Sequence, residues 1–207
     1  MTHIGRLFII SAASGVGKTS LVQNIIQQTD NIVLSISHTT RPKRPKEQDG
    51  VDYFFISKEN FLQMRNNAEF LETAEIFGNY YGTSKKFVID KLNQSIDVIL
   101  VIDYQGVKQI QQFVSYLNFL SVFILPPSLQ TLSERLVSRG EDEQIIIQQR
   151  MNAAKAEMQN YIHYDYLVIN DKFNKAIQDL LTIIYAEHLT VTKQKHVHAS
   201  LIKNLLT

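Results

Sequence analysis

Ser11-Ala-Ala-Ser-Gly-Val-Gly-Lys-Thr-Ser20 decides how this chain folds. In front of it, Arg6-Leu-Phe-Ile-Ile10 is short, branched and uninterrupted, as a strand buried on both faces of a parallel sheet must be. Behind it, Ser20 to Gln28 sets Leu21, Val22, Ile25 and Ile26 at helical spacing. A small-residue loop between a strand and a helix lets backbone N–H groups converge on an anion, because no side chain blocks the approach and the helix N-terminus is partially positive. Gly15 and Gly17 supply the tight turn. Lys18 can reach the outer phosphates of a nucleotide as a point charge, and the Thr19 hydroxyl can take a place on Mg²⁺. The strict G-x-x-x-x-G-K-S/T pattern has glycine where this chain has Ala12, and a flexible loop without ligand is the competing reading. A strand and a helix on either side favour the phosphate cradle.

The 207 residues, 44% of them apolar, fit one domain with a sizeable core and room for an insertion. A formal charge of +1 gives no general field for nucleic acid or an anionic membrane, so any basic site must be local. The absence of cysteine removes disulfides, thiolate catalysis and cysteine-based zinc sites, and fits a reducing compartment. Met-Thr-His-Ile-Gly-Arg6 lacks the segments of a signal peptide, and no apolar run approaches membrane-spanning length. The expectation is a soluble cytoplasmic protein with neither nucleic acid nor membrane as partner.

Further along, Asp30-Asn31 signals a turn and Ile32 to Ser37 reads as a second strand. His38-Thr-Thr-Arg-Pro-Lys-Arg-Pro-Lys46 then sets four cationic residues in a loop whose two prolines forbid regular pairing. A solvated charge run is the ordinary reading of such a stretch. Ligands of open α/β sheets, however, sit at the carboxyl ends of strands, which makes Arg41 and Arg44 candidate phosphate clamps. Gly50 to Ser57 reads as a strand, with Ser57 capping a helix over Lys58 to Asn67. Phe70 to Phe77 alternates apolar and polar residues, Gly78-Asn79 turns, and Tyr80 to Thr83 returns. Such a hairpin does not belong in a doubly wound parallel sheet, so residues 41–93 are expected as a small α+β insertion, with Ser84 capping the helix that leads back.

Asp97 to Asp103 is an apolar strand ending in an acid, a Walker-B pattern whose carboxylate can hold Mg²⁺ directly or through water. Ser121 to Leu125 is a further buried strand, and Ser128 caps a helix over Leu129 to Val137. Ser138-Arg-Gly-Glu-Asp-Glu143 interrupts the chain before a long helix over Gln144 to Tyr161. Arg135, Arg139 and Arg150 surround that break, and as a set they read as a short lid that brings cations to a reacting phosphoryl group rather than as surface arginines. Tyr166 to Asn170 is the last strand, and Asp171-Lys172 opens a helix to His188. In the basic tail 189–207, His196-x-His198 reads as surface rather than a zinc site. The tail's Leu201, Ile202, Leu205 and Leu206 stripe packs on its own domain or on another subunit of a homo-oligomer.

Taken in order, Ser11 to Thr19, Ser37-His-Thr-Thr-Arg-Pro-Lys-Arg-Pro45, Phe70-Leu-Glu72, Gly78-Asn-Tyr-Tyr-Gly-Thr83, Ile102-Asp-Tyr-Gln-Gly-Val107, Arg139-Gly140 with Arg150, and Val168-Ile-Asn-Asp171 resemble the motifs of bacterial guanylate kinases. The resemblance runs from Gly5 to the end of the chain. It implies an α/β, three-layer P-loop NTPase fold with a parallel sheet core, an inserted α+β GMP-binding region and a short lid. In this chain that means one domain: core 5–40 and 94–188, GMP-binding region 41–93, lid 135–150 and tail 189–207. It also implies phosphoryl transfer from ATP to GMP, or its deoxy form, with Mg²⁺. Ser37, Glu72, Thr83 and Asp103 then look like the guanine-side residues, and Arg41, Arg44, Tyr53 and Tyr81 like the clamp on the GMP phosphate. Ala12, Ala13, Ser14, Gly15, Val16, Gly17, Lys18 and Thr19 would take the ATP phosphates, Arg135 and Arg139 would join them from the lid, and Asn170 would lie near adenine. Lys18, Arg41, Arg139 and Arg150 are the expected catalytic cations, with Thr19 and Asp103 on the metal. Val101 stands where many relatives carry a second acid, and Lys46 where glycine is common.

Two other classes compete. A non-catalytic guanylate-kinase-like interaction module should show an eroded cradle and lid, yet Lys18, Thr19, Arg139 and Arg150 are present. A GTPase switch would use Asp103-x-x-Gly106 and an N-K-x-D guanine reader, but Asn174-Lys-Ala-Ile177 lacks the acid.

Overall fold

The computed structural model describes residues 5–113, 117, 119–138 and 144–207. In chain order these form β1 (Leu7–Ala12), α1 (Lys18–Gln28), β2 (Ile32–Leu34), β3 (His38–Thr39), β4 (Phe54–Phe55), α2 (Lys58–Asn66), β5 (Phe70–Ile76), β6 (Asn79–Ser84), α3 (Lys85–Asn93), β7 (Asp97–Val101), α4 (Tyr104–Phe113), β8 (Phe119–Leu125), α5 (Leu129–Ser138), α6 (Gln144–Met158), β9 (Tyr166–Ile169), α7 (Phe173–His188), α8 (Val191–Val197) and α9 (Ala199–Leu206).

β1 is central in a five-stranded sheet of order β2-β7-β1-β8-β9 in which every pairing is parallel. Its six residues are all buried because alternate side chains enter different layers. Phe8 and Ile10 pack with Leu21, Val22 and Ile25 of α1 and Ile177, Leu180 and Ile184 of α7. Leu7 and Ile9 pack with Val88 and Leu92 of α3 and Val107 and Ile110 of α4. Helices thus cover both faces, the three-layer α/β arrangement expected. Among the described residues no helix is long and apolar enough to cross a membrane.

The second sheet has the order β4-β3-β6-β5, with β6 antiparallel to both β3 and β5. It begins at His38, before the expected start of the insertion at 41, while α3, expected inside the insertion, packs on the main sheet. Four expectations need correction. The strand from Ile32 ends at Leu34, because the Ser35 N–H makes a last bond to the Ile99 carbonyl (2.9 Å) and the chain then crosses to the second sheet. The strand expected over Gly50 to Ser57 is reduced to Phe54–Phe55, since Gly50 turns at φ 73° and Asp52 caps the Gln48 N–H (2.8 Å). The hairpin turns at Phe77 and Gly78, with φ 49° and 75°, rather than at Gly78-Asn79; this is the paired left-handed geometry that suits the strand twist. The long helix after the lid ends at Met158 and tightens into a 3-10 turn over Gln159–His163.

α4 was not expected at all, and its cause is local. Asp103 acts as its N-cap, its Oδ1 accepting the Gly106 N–H at 3.0 Å, so Asp103-x-x-Gly106 is a helix start. Ser57, Ser84 and Ser128 cap α2, α3 and α5 through their hydroxyls as read from the sequence.

Candidate active site

The loop 12–17 joins β1 to α1 at the carboxyl edge of the main sheet. Gly15 and Gly17 adopt φ 88° and 99°, conformations that side chains disfavour. Space is also closed to a Cβ: at Gly15 it would lie 2.8 Å from Leu136, and at Gly17 3.0 Å from the Asn170 amide. Gly17 is the N-cap of α1 and offers no side-chain bond, so unlike α2 and α3 this helix leaves its first N–H groups open. Ala12, Ala13 and Val16 are buried and anchor the loop, while Ser14 and Thr19 are exposed.

The Val16 carbonyl is gripped from behind. It accepts the Asn170 Nδ2 at 2.7 Å and Arg135 Nη1 at 3.2 Å, while Arg135 Nη2 reaches the Asn170 carbonyl at 3.1 Å. Arg135 and Asn170 therefore meet the P-loop directly, and the Asn170 Oδ1 is buried with no partner among the described residues. Lys18 lies back along the loop with its Nζ 3.2 Å from the Ala12 carbonyl. Burial pulls its pKa down, against the opposing pull of Glu157 and Asp103. Glu157, on α6, was not singled out in the sequence. Burial pushes its carboxyl up and Lys18 draws it down. Its only sequence signal is an acid beside the Ile147, Met151, Ala154 and Met158 stripe of that helix.

Glu72 and Thr83 face each other across the hairpin. Phe70 pairs with Ser84 but Thr73 pairs with Gly82, so β5 carries one extra residue at a bulge. A bulge breaks the in–out alternation, and Leu71 and Glu72 consequently both point inward, at 6% and 4% exposure. The Thr83 hydroxyl donates to Glu72 Oε1 at 2.6 Å. A Cβ on Gly106 would come within 2.8 Å of Glu72 Oε2, so a side chain there would push the carboxylate aside. Burial, reinforced by Asp103 and opposed by Thr83, pushes the Glu72 carboxyl up to about 7.

Arg41, Arg44 and Tyr53, in the segment between β3 and β4, gather near Tyr81 of β6. The Arg41 guanidinium lies 5.5 Å from the Tyr53 ring centroid and 5.8 Å from that of Phe55, and Tyr53 meets Tyr81 edge-on at 5.8 Å. Burial raises the Tyr53 phenol further from ionisation. Glu47, also not singled out in the sequence, pairs with Arg41 at 2.6 Å. Ser37 is half-buried between the sheets, its carbonyl accepting the Phe54 N–H at 2.9 Å. Arg150 is half-buried on α6. Arg139 lies outside the described residues, as does 140–143 of the expected lid.

One set of groups suits a polyphosphate and the other a base and a monophosphate. The guanylate kinase family model matches residues 4–187. A guanylate kinase of Saccharophagus degradans is 48% identical over 207 residues, covering 100% of both chains. One of Buchnera aphidicola is 51% identical over 98% of each. The crystal structure of guanylate kinase from Anaplasma phagocytophilum superposes with a TM-score of 0.77 at 29% identity, covering 93% of this chain and 90% of that one. With its nucleotide cradle, its bulged carboxylate and these full-length relatives, the chain belongs to the guanylate kinase family.

Proposed function

We propose that this chain transfers the γ-phosphoryl group of ATP to GMP, giving ADP and GDP. The observation that carries the reading is Glu72, a carboxylate at 4% exposure whose bonded neighbour is a neutral hydroxyl. Guanine presents an N1–H and an exocyclic amino group on one edge, and one carboxylate accepts both. With its pKa at about 7, Glu72 shares a proton in the free protein, and two arriving donors favour the ionised form. Adenine offers no such pair and would leave the carboxylate unpaired, a mismatch of about 10⁴-fold in comparable sites.

The acceptor's phosphate oxygen attacks the γ-phosphorus and ADP leaves with the bridging oxygen. The phosphate monoester is already anionic near neutral pH, so no side chain has to remove a proton. The chain must instead bring two polyanions together and offset charge on the group in transit. Lys18 and the α1 N-terminus serve the donor phosphates, with Ala12 to Thr19 as cradle and Arg135 and Asn170 behind it. Arg41, Arg44, Tyr53 and Tyr81 hold the acceptor phosphate, Ser37, Thr83 and Asp103 join Glu72 around the base, and Arg139 and Arg150 complete the cationic surround. Mg²⁺ fits this donor set. The Thr19 hydroxyl is exposed in the first turn of α1, Asp103 spends one oxygen on Gly106, and few protein ligands suit an ion held largely by nucleotide phosphates. When bound, it would neutralise phosphate charge beside Lys18. The cysteine-free composition suits a cytoplasmic setting, where both nucleotides are substrates.

A coupled assay of ADP release, with ATP as donor and GMP, AMP, CMP and UMP offered in turn, tests the reading. Turnover confined to GMP is expected. Equal turnover with AMP, or none with any acceptor, contradicts it.

A further inference from the structure

Arg41, Lys43, Arg44 and Lys46 crowd into one short loop, and like charges at such spacing repel unless an anion lies among them. That anion is Glu47. Its Oε1 accepts Arg41 Nη2 at 2.6 Å and its Oε2 accepts the Arg44 backbone N–H at 2.8 Å. The Glu47 N–H in turn donates to the Arg44 carbonyl at 3.1 Å, which closes the turn on itself. Both side chains of the ion pair are 17% exposed. Burial alone would raise the Glu47 carboxyl, but the bonds from Arg41 and Arg44 outweigh it and hold the group below the usual carboxylate range.

Arg41 is braced on its other sides as well. Its backbone N–H donates to Thr39 Oγ1 at 3.1 Å, its Nη1 donates to the Pro42 carbonyl at 2.9 Å, and its guanidinium lies over Tyr53 and Phe55. A free arginine loses much rotamer freedom when it binds a phosphate, and ordering it beforehand removes that loss from the binding step. One carboxylate thus fixes the side chain of one clamp residue and the main chain of the other.

We propose that Glu47 is a positioning residue for the acceptor's phosphate, holding Arg41 and Arg44 at the spacing the phosphate needs before the ligand arrives. The inference rests on the reading of those arginines as the phosphate clamp. Glu47 itself repels a phosphate, so its presence among the cations makes sense only if the order it imposes outweighs that repulsion.

The test compares full-length wild type with Glu47→Ala, Glu47→Gln and Arg41→Ala. KM for GMP is measured at saturating ATP, KM for ATP at saturating GMP, and thermal unfolding beside both. Glu47→Ala should raise KM for GMP about tenfold or more, with KM for ATP unchanged. Glu47→Gln keeps one acceptor oxygen, enough for Arg41 but not also for the Arg44 N–H, and should recover part of the loss. An unchanged or lowered KM for GMP in Glu47→Ala overturns the proposal, because the carboxylate would then be a bystander or a competitor of the phosphate. Glutamine no better than alanine, or KM for ATP rising in step with KM for GMP, overturns it too. Arg41→Ala separates the two levels of the argument. If it leaves KM for GMP unchanged, the clamp reading itself falls. If it raises that KM while Glu47→Ala does not, only the role of Glu47 falls.

Discussion

Glu72 and Asp97 are both buried carboxylates, at 4% and 2% exposure, and the chain treats them in opposite ways. Asp97 opens β7 at the amino end of the main sheet and is surrounded by donors. The Arg6 N–H lies at 2.7 Å and Lys193 Nζ at 3.1 Å, and His188 Nε2 completes the set. Burial would raise its pKa, but these partners hold it below the usual range. They also moor α8, which carries Lys193, to the body of the protein, and a further pair of Arg6 with Glu187 at 3.0 Å closes the cluster. Glu72, on the bulge of β5, has a threonine hydroxyl where Asp97 has an ammonium, an imidazole and a backbone N–H, and burial pushes it up to about 7. A buried charge that serves the fold brings its counter-charges along; a buried charge kept for a ligand stays under-compensated until that ligand arrives.

The contrast predicts that the ligand end and the amino end fail in different currencies. The largest effect belongs to Lys18→Ala. It should lower turnover by about 10²-fold or more while leaving KM for GMP and the unfolding midpoint near wild type. Retained turnover would remove the P-loop lysine from the chemistry. Asp97→Ala should do the reverse and destabilise the protein by about 3 kcal/mol, the low end for breaking a buried pair because its partners Lys193 and His188 are only partly buried, with kcat/KM of the folded fraction preserved. Urea unfolding beside steady-state kinetics checks both, and a loss of activity without a loss of stability in Asp97→Ala would contradict the division. Acid should expose the same group. Because the folded pKa of Asp97 lies below its unfolded value, its contribution is present above about pH 4 and disappears as pH falls through the lower folded value.

Glu72→Gln is expected to have the most diagnostic stability effect, because it changes with pH. The folded pKa of about 7 is raised above the ordinary 4.5, so wild type holds its full stability below pH 4.5 and loses it as pH rises through 7. A neutral glutamine escapes that loss. The variant should therefore gain up to about 3 kcal/mol at pH 8, about 1 kcal/mol at pH 5 and almost nothing below about pH 4. Thermal unfolding across that range reads the difference, and a gain independent of pH would mean that the carboxylate is not the group titrating.

The parallel core was legible because Leu7 to Ile10, Val98 to Val101 and Val122 to Leu125 are apolar without interruption, and because glycine and serine mark the loop and caps around them. α4 was hidden. Tyr104, Val107, Ile110 and Phe113 recur at every third position among glutamines, but Gly106 in its first turn reads as a breaker until the Asp103 cap and the nearness of Glu72 account for it. The second sheet was legible as a hairpin but not in register, since nothing in Phe70-Leu-Glu-Thr73 announces a bulge. Glu72 was named through resemblance. What turns its carboxyl inward is the bulge, seen only in three dimensions. Asp97 lay at the edge of an apolar run and looked like a strand boundary; its partners come from residues 6, 188 and 193, far apart in the chain. Glu47 followed four cations closely enough to be noticed and was masked by the prolines and lysines around it.

The comparison of acceptors on wild type and Glu72→Gln bears most directly on the claim that this carboxylate reads the base. Wild type should favour GMP over AMP in kcat/KM by about 10⁴-fold, and the variant should lose most of that preference while its KM for ATP stays put. A preference that survives the substitution intact would show that another group chooses the purine.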